Sequence, residues 1–157
     1  MTVPASVVEF AQIVFENGYE IYLVGGAVRN LKRGLPPDDY DFTTNATPEQ
    51  ISAIFKKVIP TGIEHGTVTV LFKGNSFEVT TYRIDGKYSN SRHPDSITFS
   101  SDIYEDLKRR DFTINAMAVD VRDDRLIDVH GGMDDLKHKV IRAIGNPDER
   151  FAEDGLR

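Results

Sequence analysis

The sequence contains no cysteine, which excludes disulfide bonds and thiolate metal sites. It also has no apolar run near the ~18 residues that a membrane span requires. Its N-terminus, MTVPASVVEFAQ, lacks both the basic start and the long apolar stretch of a signal peptide. These absences predict a cytoplasmic protein with no membrane partner.

Basic residues are in the minority, since 19 Lys and Arg stand against 25 Asp and Glu and leave a net charge of −6. Nucleic-acid binders are usually basic, so this chain alone is expected to bind nucleic acid poorly. Its 157 residues, 39% apolar and 28% charged, fit one globular domain with a core. The last segment, 147–157, is helix-like and has no stop signal, which predicts a fragment of a longer polypeptide.

Hydrophobic periodicity and turn signals divide the chain into interleaved helices and strands. Helices are predicted at 4–17, 27–33, 47–56, 102–115 and 134–137, and strands at 20–24, 40–44, 67–73, 76–83, 116–120, 125–129 and 140–144. Thr47 to Gln50 forms a capping box, Gly74-Asn75 joins a β-hairpin, and 84–97 is predicted to be a mobile loop. The fold class is therefore mixed α/β, with a small, mostly antiparallel sheet flanked by helices.

Three carboxylates are the first candidates for chemistry. Asp39 and Asp41 point the same way on a strand, about 6–7 Å apart, and can converge on one or two hard cations. Glu78, on the predicted strand 76–83, supplies a third carboxylate for two-metal nucleotidyl transfer if that strand is a neighbour. The alternatives are a solvated acidic turn at Asp39 and Asp41 and an exposed charge at Glu78.

A glycine pair lies between a predicted strand and a predicted helix. Backbone N–H groups at Gly25 and Gly26 are suited to phosphate, and Arg29 in the first helical turn can point at the same anion. The spacing matches neither the dinucleotide-binding fingerprint nor the P-loop. The alternative is an ordinary tight turn.

Two charged clusters lie nearer the C-terminus. The first ends a predicted helix and includes Arg110, Asp111 and Asn115; Asp111 and Asn115 would share a helical face, and the alternative is a solvated cationic face. In the second, Asp154 and Arg157 form either a surface salt bridge or a pair that reads a base edge.

Together these segments resemble the catalytic head of the class II tRNA nucleotidyltransferases, the CCA-adding enzymes, a head that bacterial poly(A) polymerases share. The resemblance runs from about Tyr19 to Arg157. It is carried by LVGGAVR at 23–29, DYDFTT at 39–44, RRDFTINAMA at 109–118, DVHGG at 128–132 and EDGLR at 153–157. One departure is Asn30, where the family usually has aspartate.

The resemblance implies a polymerase β-like nucleotidyltransferase head at 1–145 and the start of a nucleotide-reading neck helix at 146–157. The implied reaction adds CCA, or its terminal A, to the 3′ end of tRNA from CTP and ATP and releases pyrophosphate. Most contacts to tRNA would come from domains missing from this chain. A segment at 85–94 fits the family's mobile loop, which favours full CCA or terminal A addition.

The resemblance also implies residue roles. Asp39, Asp41 and Glu78 would be catalytic and would bind Mg²⁺ at a two-metal site, with Mn²⁺ as an alternative. The implied nucleotide-binding residues are Gly25, Gly26, Arg29, Arg110, Asp111, Asn115, Asp154 and Arg157. Two other functions stay open: a poly(A) polymerase that uses ATP alone, and a non-catalytic nucleotide-binding module.

Overall fold

A computed structural model describes residues 3–35, 37, 39–85, 97–99 and 102–144. Its helices are α1 (Ala5–Glu16), α2 (Gly26–Lys32), α3 (Pro48–Ile54), α4 (Ile103–Lys108) and α5 (Gly132–Lys137), with 3₁₀ turns at Ile63–His65 and Thr113–Asn115. Its strands are β1 (Ile21–Val24), β2 (Tyr40–Thr44), β3 (Val58–Gly62), β4 (Thr67–Phe72), β5 (Asn75–Thr81), β6 (Arg83–Asp85), β7 (Ile97–Phe99), β8 (Ala118–Asp120) and β9 (Arg125–Ile127). Within these ranges, no helix combines the length and apolarity that crossing a bilayer demands.

Seven strands form one sheet in the order β3-β4-β5-β2-β1-β8-β9, and β6 and β7 form a separate antiparallel pair. All neighbours in the large sheet are antiparallel except β2 and β5, which are parallel. The predicted mixed α/β fold with a mostly antiparallel sheet is confirmed. The hairpin of β4 and β5 is also confirmed, as is the capping box in which Thr47 and Gln50 exchange hydrogen bonds.

One face of the sheet carries the main core. Helix α1 packs on it because Val7, Phe10, Ala11 and Val14 recur at helical spacing and form one fully buried stripe. Phe10 lies at the centre of an aromatic cluster, with its ring centroid 4.7 Å from that of Phe77. This packing anchors the strands whose opposite faces carry the charged residues.

The other face carries a smaller cluster. Ile103 and Leu107 of α4 pack there against Tyr22, Val24 and Tyr82. Helix α4 therefore covers part of this second face, and the carboxylates of β2 and β5 lie on the same side of the sheet.

Three predictions near the C-terminal half were wrong. The predicted helix 102–115 ends at Lys108, because the backbone N–H of Thr113 bonds the carbonyl of Arg142 and holds this segment extended. Segment 140–144 makes only an isolated bridge, Phe112 to Ala143, rather than a strand of the sheet. The predicted loop is shorter than 84–97, since its ends pair as β6 and β7; residues 86–96 lie outside the described residues.

Candidate active site

Asp41 and Glu78 lie side by side on the second face of the sheet. Strands β2 and β5 run parallel, and these two residues are register partners. Val24 is the partner of Asp41 on the other side, so the turn after β1 begins next to Asp41. Glu78 is exposed and Asp41 is half-buried, while Asp39 is exposed just before β2. The sheet therefore brings the three predicted carboxylates into one region.

The surroundings of the Asp41 carboxyl raise its pKa. Burial, the charge and hydrogen bond of the neighbouring Glu78, and the charge of Asp39 together raise the pKa of Asp41 from 3.8 to about 6. The positive charge of Arg110 acts in the opposite sense. A cation brought to this region would relieve the repulsion that the three carboxylates exert on one another.

Asp39, Asp41 and Glu78 are the residues that could hold a divalent metal. They offer only oxygen ligands, which hard cations such as Mg²⁺ prefer, and their repulsion favours positive charge between them. Among the described residues, no three acidic, histidine or cysteine side chains form a ready metal cluster. The site therefore fits a metal in ligand chemistry and charge rather than as a preformed cage.

The glycine turn lies beside an ordered arginine. Gly25 has φ 71° and ψ −143°, a conformation that side chains disfavour, and α2 begins at the next residue. A methyl group on Gly26 would lie 3.5 Å from Nη2 of Arg29, so the guanidinium lies over the turn. Nη1 of Arg29 donates a hydrogen bond to Oδ1 of Asn115 at 3.0 Å.

Asp106 is a buried aspartate that the sequence interpretation missed. Its carboxylate is fully buried on α4 and accepts four hydrogen bonds. Oδ1 accepts from the backbone N–H of Arg83 at 3.1 Å and from Nε of Arg109 at 3.2 Å. Oδ2 accepts from the hydroxyl of Thr43 at 3.1 Å and from Nη2 of Arg110 at 3.3 Å. The missed signal was the i,i+3 and i,i+4 spacing of Asp106 to the two arginines.

Arg110 is largely buried rather than part of a solvated face. Its side chain is 16% exposed and is paired with Asp106. Burial and the charge of Arg109 lower the pKa of Arg110, while the carboxylates of Asp106 and Asp41 oppose that shift. Arg110 thus links the buried Asp106 electrostatically to the carboxylate of Asp41 on β2.

Asp111 does not share a helical face with Asn115, because the chain between them is not α-helical. Oδ1 of Asp111 accepts from the backbone N–H of Phe112 at 2.9 Å, and its carbonyl accepts from the N–H of Ile144 at 3.0 Å. Asp154 and Arg157 lie outside the described residues, so their roles stay predictions.

The segment Asp128–Gly132 forms a close contact between α5 and the 3₁₀ turn Thr113–Asn115. The carboxylate of Asp128 caps α5 by accepting from the backbone N–H groups of Gly132 at 2.6 Å and of Met133 at 2.9 Å. A Cβ on Gly132 would lie 2.3 Å from the carbonyl oxygen of Thr113. Only glycine therefore allows this approach without a shift of the backbone.

We expect Gly132→Ala to destabilise the chain by roughly 1–3 kcal/mol or more, because the added methyl must displace the backbone of Thr113. Urea unfolding of both variants measures the effect. Gly62→Ala is the matched control, since its Cβ would meet no atom closer than Thr67 Cβ, at 3.4 Å. Equal stability of Gly132→Ala and the unaltered chain would contradict the close contact.

The chain matches a protein-family model described as the poly A polymerase head domain over residues 21–142. It is 53% identical over 144 residues to the CCA-adding enzyme of Oceanobacillus iheyensis, covering 92% of this chain and 36% of that protein. With the CCA-adding enzyme of Enterococcus faecalis it shares 48% identity over 99% of this chain and 39% of that protein. The chain thus spans little more than a third of the length of these relatives.

Solved structures share the fold. The Bacillus stearothermophilus CCA-adding enzyme in complex with CTP superposes with a TM-score of 0.89 at 43% identity, covering 99% of this chain and 37% of that one. A Thermotoga maritima CCA-adding enzyme complexed with tRNA superposes with a TM-score of 0.71 at 28% identity, covering 98% and 36%. These superpositions extend over nearly the whole chain.

Proposed function

Since this chain belongs to the poly(A) polymerase head-domain family, we propose that it is the catalytic head of a CCA-adding tRNA nucleotidyltransferase. The reaction is attack of the tRNA 3′-hydroxyl on the α-phosphate of CTP or ATP, with release of pyrophosphate. The observation that supports this most is the in-register pair Asp41 and Glu78 beside the Gly25-Gly26 turn. Carboxylates that can hold a divalent cation, and a glycine turn with an arginine over it, suit a nucleoside triphosphate better than any uncharged ligand.

In this proposal Asp39, Asp41 and Glu78 hold divalent metal, with Mg²⁺ as the physiological ion and Mn²⁺ as a substitute. When bound, the metal supplies activation of the attacking hydroxyl and neutralisation of the charge that develops on the leaving pyrophosphate. The carboxylates fix the position of that charge, and the half-buried setting of Asp41 limits its screening by water.

The arginines bind the anionic part of the substrate. Arg29, with the turn at Gly25 and Gly26, holds the triphosphate, and Arg110 with Asp111 contacts the sugar and phosphates. Asp154 and Arg157 read the Watson–Crick edge of the incoming base. The chain carries a net charge of −6, whereas binding to the phosphates of tRNA needs basic residues. Most contacts to tRNA are therefore assigned to the part of the relatives that this chain does not span. We place the activity in the cytoplasm, where tRNA is processed.

A head-swap tests the proposal. The chain replaces the corresponding head of the Oceanobacillus iheyensis relative, and the hybrid is incubated with a tRNA that lacks its 3′ CCA, with Mg²⁺, CTP and ATP. We expect addition of C, C and A in a sequencing gel, and little addition by the chain alone. A folded hybrid that incorporates neither nucleotide would contradict the proposal.

A poly(A) polymerase is the second candidate, because the matching family model carries that description. The same assay separates the two functions. Long products made from ATP alone, with CTP left unused, would replace the CCA assignment by poly(A) synthesis.

A further inference from the structure

Arg29 is held by a neutral side chain rather than by a carboxylate. Its Nη1 donates to Oδ1 of Asn115 at 3.0 Å, and among the described residues no salt bridge is recorded for Arg29. A guanidinium has five N–H donors, so one bond to Asn115 leaves the others for a ligand. A neutral acceptor orients the cation without cancelling its charge.

Asn115 is itself fixed by the turn in which it lies. Its backbone N–H bonds the carbonyl of Phe112 at 3.0 Å. The neighbouring Thr113 is buried; its hydroxyl donates to Oδ2 of Asp135 at 2.6 Å, and its backbone N–H donates to the carbonyl of Arg142 at 3.0 Å. The Nε–H of Arg142 donates a hydrogen bond to the same Oδ2 of Asp135, at 3.1 Å.

Helix α5 supports this turn from the other side. Asp128 caps the helix at Gly132 and Met133, and the backbone of Gly132 packs directly on the carbonyl of Thr113. Asp128 therefore fixes the start of α5, α5 contacts Thr113, and Thr113 lies in the same 3₁₀ turn as Asn115. The segment DVHGG at 128–132 thereby gains a physical role that its sequence alone did not reveal.

We propose that Asn115 is a positioning residue, which orients the Arg29 guanidinium over the glycine turn, and that α5 and its Asp128 cap hold Asn115 in place. The proposal rests on the proposed function, because the ligand of Arg29 is the triphosphate of an incoming nucleotide. Asn115 then acts through Arg29 rather than by contacting the nucleotide itself.

The chemistry of the pair predicts two distinct outcomes of substitution. Asn115→Ala removes the acceptor, so Arg29 loses its orientation. Asn115→Asp keeps an acceptor at the same place, so Arg29 stays ordered, but the added negative charge opposes an anionic ligand. A role in folding alone would not separate these two variants in this way.

The experiment uses the chain itself, labelled with ¹⁵N, and Asn17→Ala at an exposed helix end as the matched control. The ¹H–¹⁵N nuclear Overhauser effect of the Arg29 Nε–H group, assigned by its disappearance in Arg29→Lys, reports the order of the guanidinium. We expect this order to fall in Asn115→Ala and to remain in Asn115→Asp and Asn17→Ala.

Titration with CTP and with CMP in the presence of Mg²⁺ gives the second measurement. The ratio of CTP affinity to CMP affinity is expected to fall about tenfold in Asn115→Ala, with CMP affinity and Tm close to those of the unaltered chain. Unchanged order of Arg29 in Asn115→Ala would overturn the positioning role. An unaltered chain that binds no CTP would count against the proposed function, and the Arg29 signal would still decide the role of Asn115.

Discussion

Replacing Asp41 with asparagine is expected to lower nucleotide addition strongly and, at the same time, to stabilise the metal-free chain. In the head-swap hybrid, activity should fall by about 10²–10³-fold or more, because the change removes a charge aimed at the reacting centre. Asparagine keeps nearly the same shape and donates a hydrogen bond to Glu78, its register partner. The repulsion between two neighbouring carboxylates disappears.

The stability gain follows from the pKa of Asp41. Because its folded value, about 6, lies above the value of 3.8 for an ordinary aspartate, the folded state binds this proton more tightly than the unfolded state. The penalty is absent below pH 3.8, grows as pH rises toward 6, and is complete above it. The full shift corresponds to about 3 kcal/mol, and solvent screening of the half-buried carboxyl reduces this to roughly 1–2 kcal/mol.

Thermal unfolding of the metal-free chain at two pH values measures this gain. Asp41→Asn should raise Tm by about 3–6 °C at pH 8 and by almost nothing at pH 4. Glu49→Gln, an exposed carboxylate on α3, serves as the control and should change stability by no more than ~0.5 kcal/mol at pH 8. A lower Tm of Asp41→Asn at pH 8, or activity within tenfold of the unaltered hybrid, would contradict the electrostatic account of the site.

Signals that act over a few residues were predictable from the sequence. A glycine-containing turn joins β4 and β5 as expected, although it is Lys73-Gly74 rather than the predicted Gly74-Asn75, since Asn75 already pairs with Phe72. The side chains of Thr47 and Gln50 cap α3 as expected. Gly25 likewise lies between β1 and α2 with a positive φ. Each of these features depends on residues close in the chain, so its physical cause is visible in the sequence itself.

Pairings between distant segments were not predictable in the same way. The alternation of β2 and β5 shows which face Asp41 and Glu78 occupy, but not that the strands are parallel neighbours with these residues in register. That pairing depends on the packing of Phe42 and Phe77 against α1, which is a tertiary effect. Periodicity also extended α4 too far, because the bond from Thr113 to Arg142 that replaces helix comes from a remote segment.

The burial of Asp106 also depends on contacts between distant segments, so the sequence did not predict it. Substitution of this residue is expected to cause the largest loss of stability. Asp106→Asn preserves the volume but removes the negative charge that faces Arg109 and Arg110, each only 16% exposed. The two guanidinium groups would then share a buried region without the negative charge of Asp106. Breaking a buried ion pair by removing one partner costs about 3–5 kcal/mol, and we expect a loss of this size in urea unfolding.

Asp120→Asn is the matched control for this prediction. Asp120 is as well buried, with a side-chain exposure of 2%, but its partner Arg122 is 38% exposed and can return to water when the charge is removed. We therefore expect a smaller cost, about 1–2 kcal/mol. If the two variants unfold at the same urea concentration, the ion pairs of Asp106 stabilise the fold no more than the partly exposed pair of Asp120 and Arg122 does. A larger cost at Asp106 would mean that the arginine beside Asp41 depends on a charge that lies outside the three carboxylates proposed to hold metal.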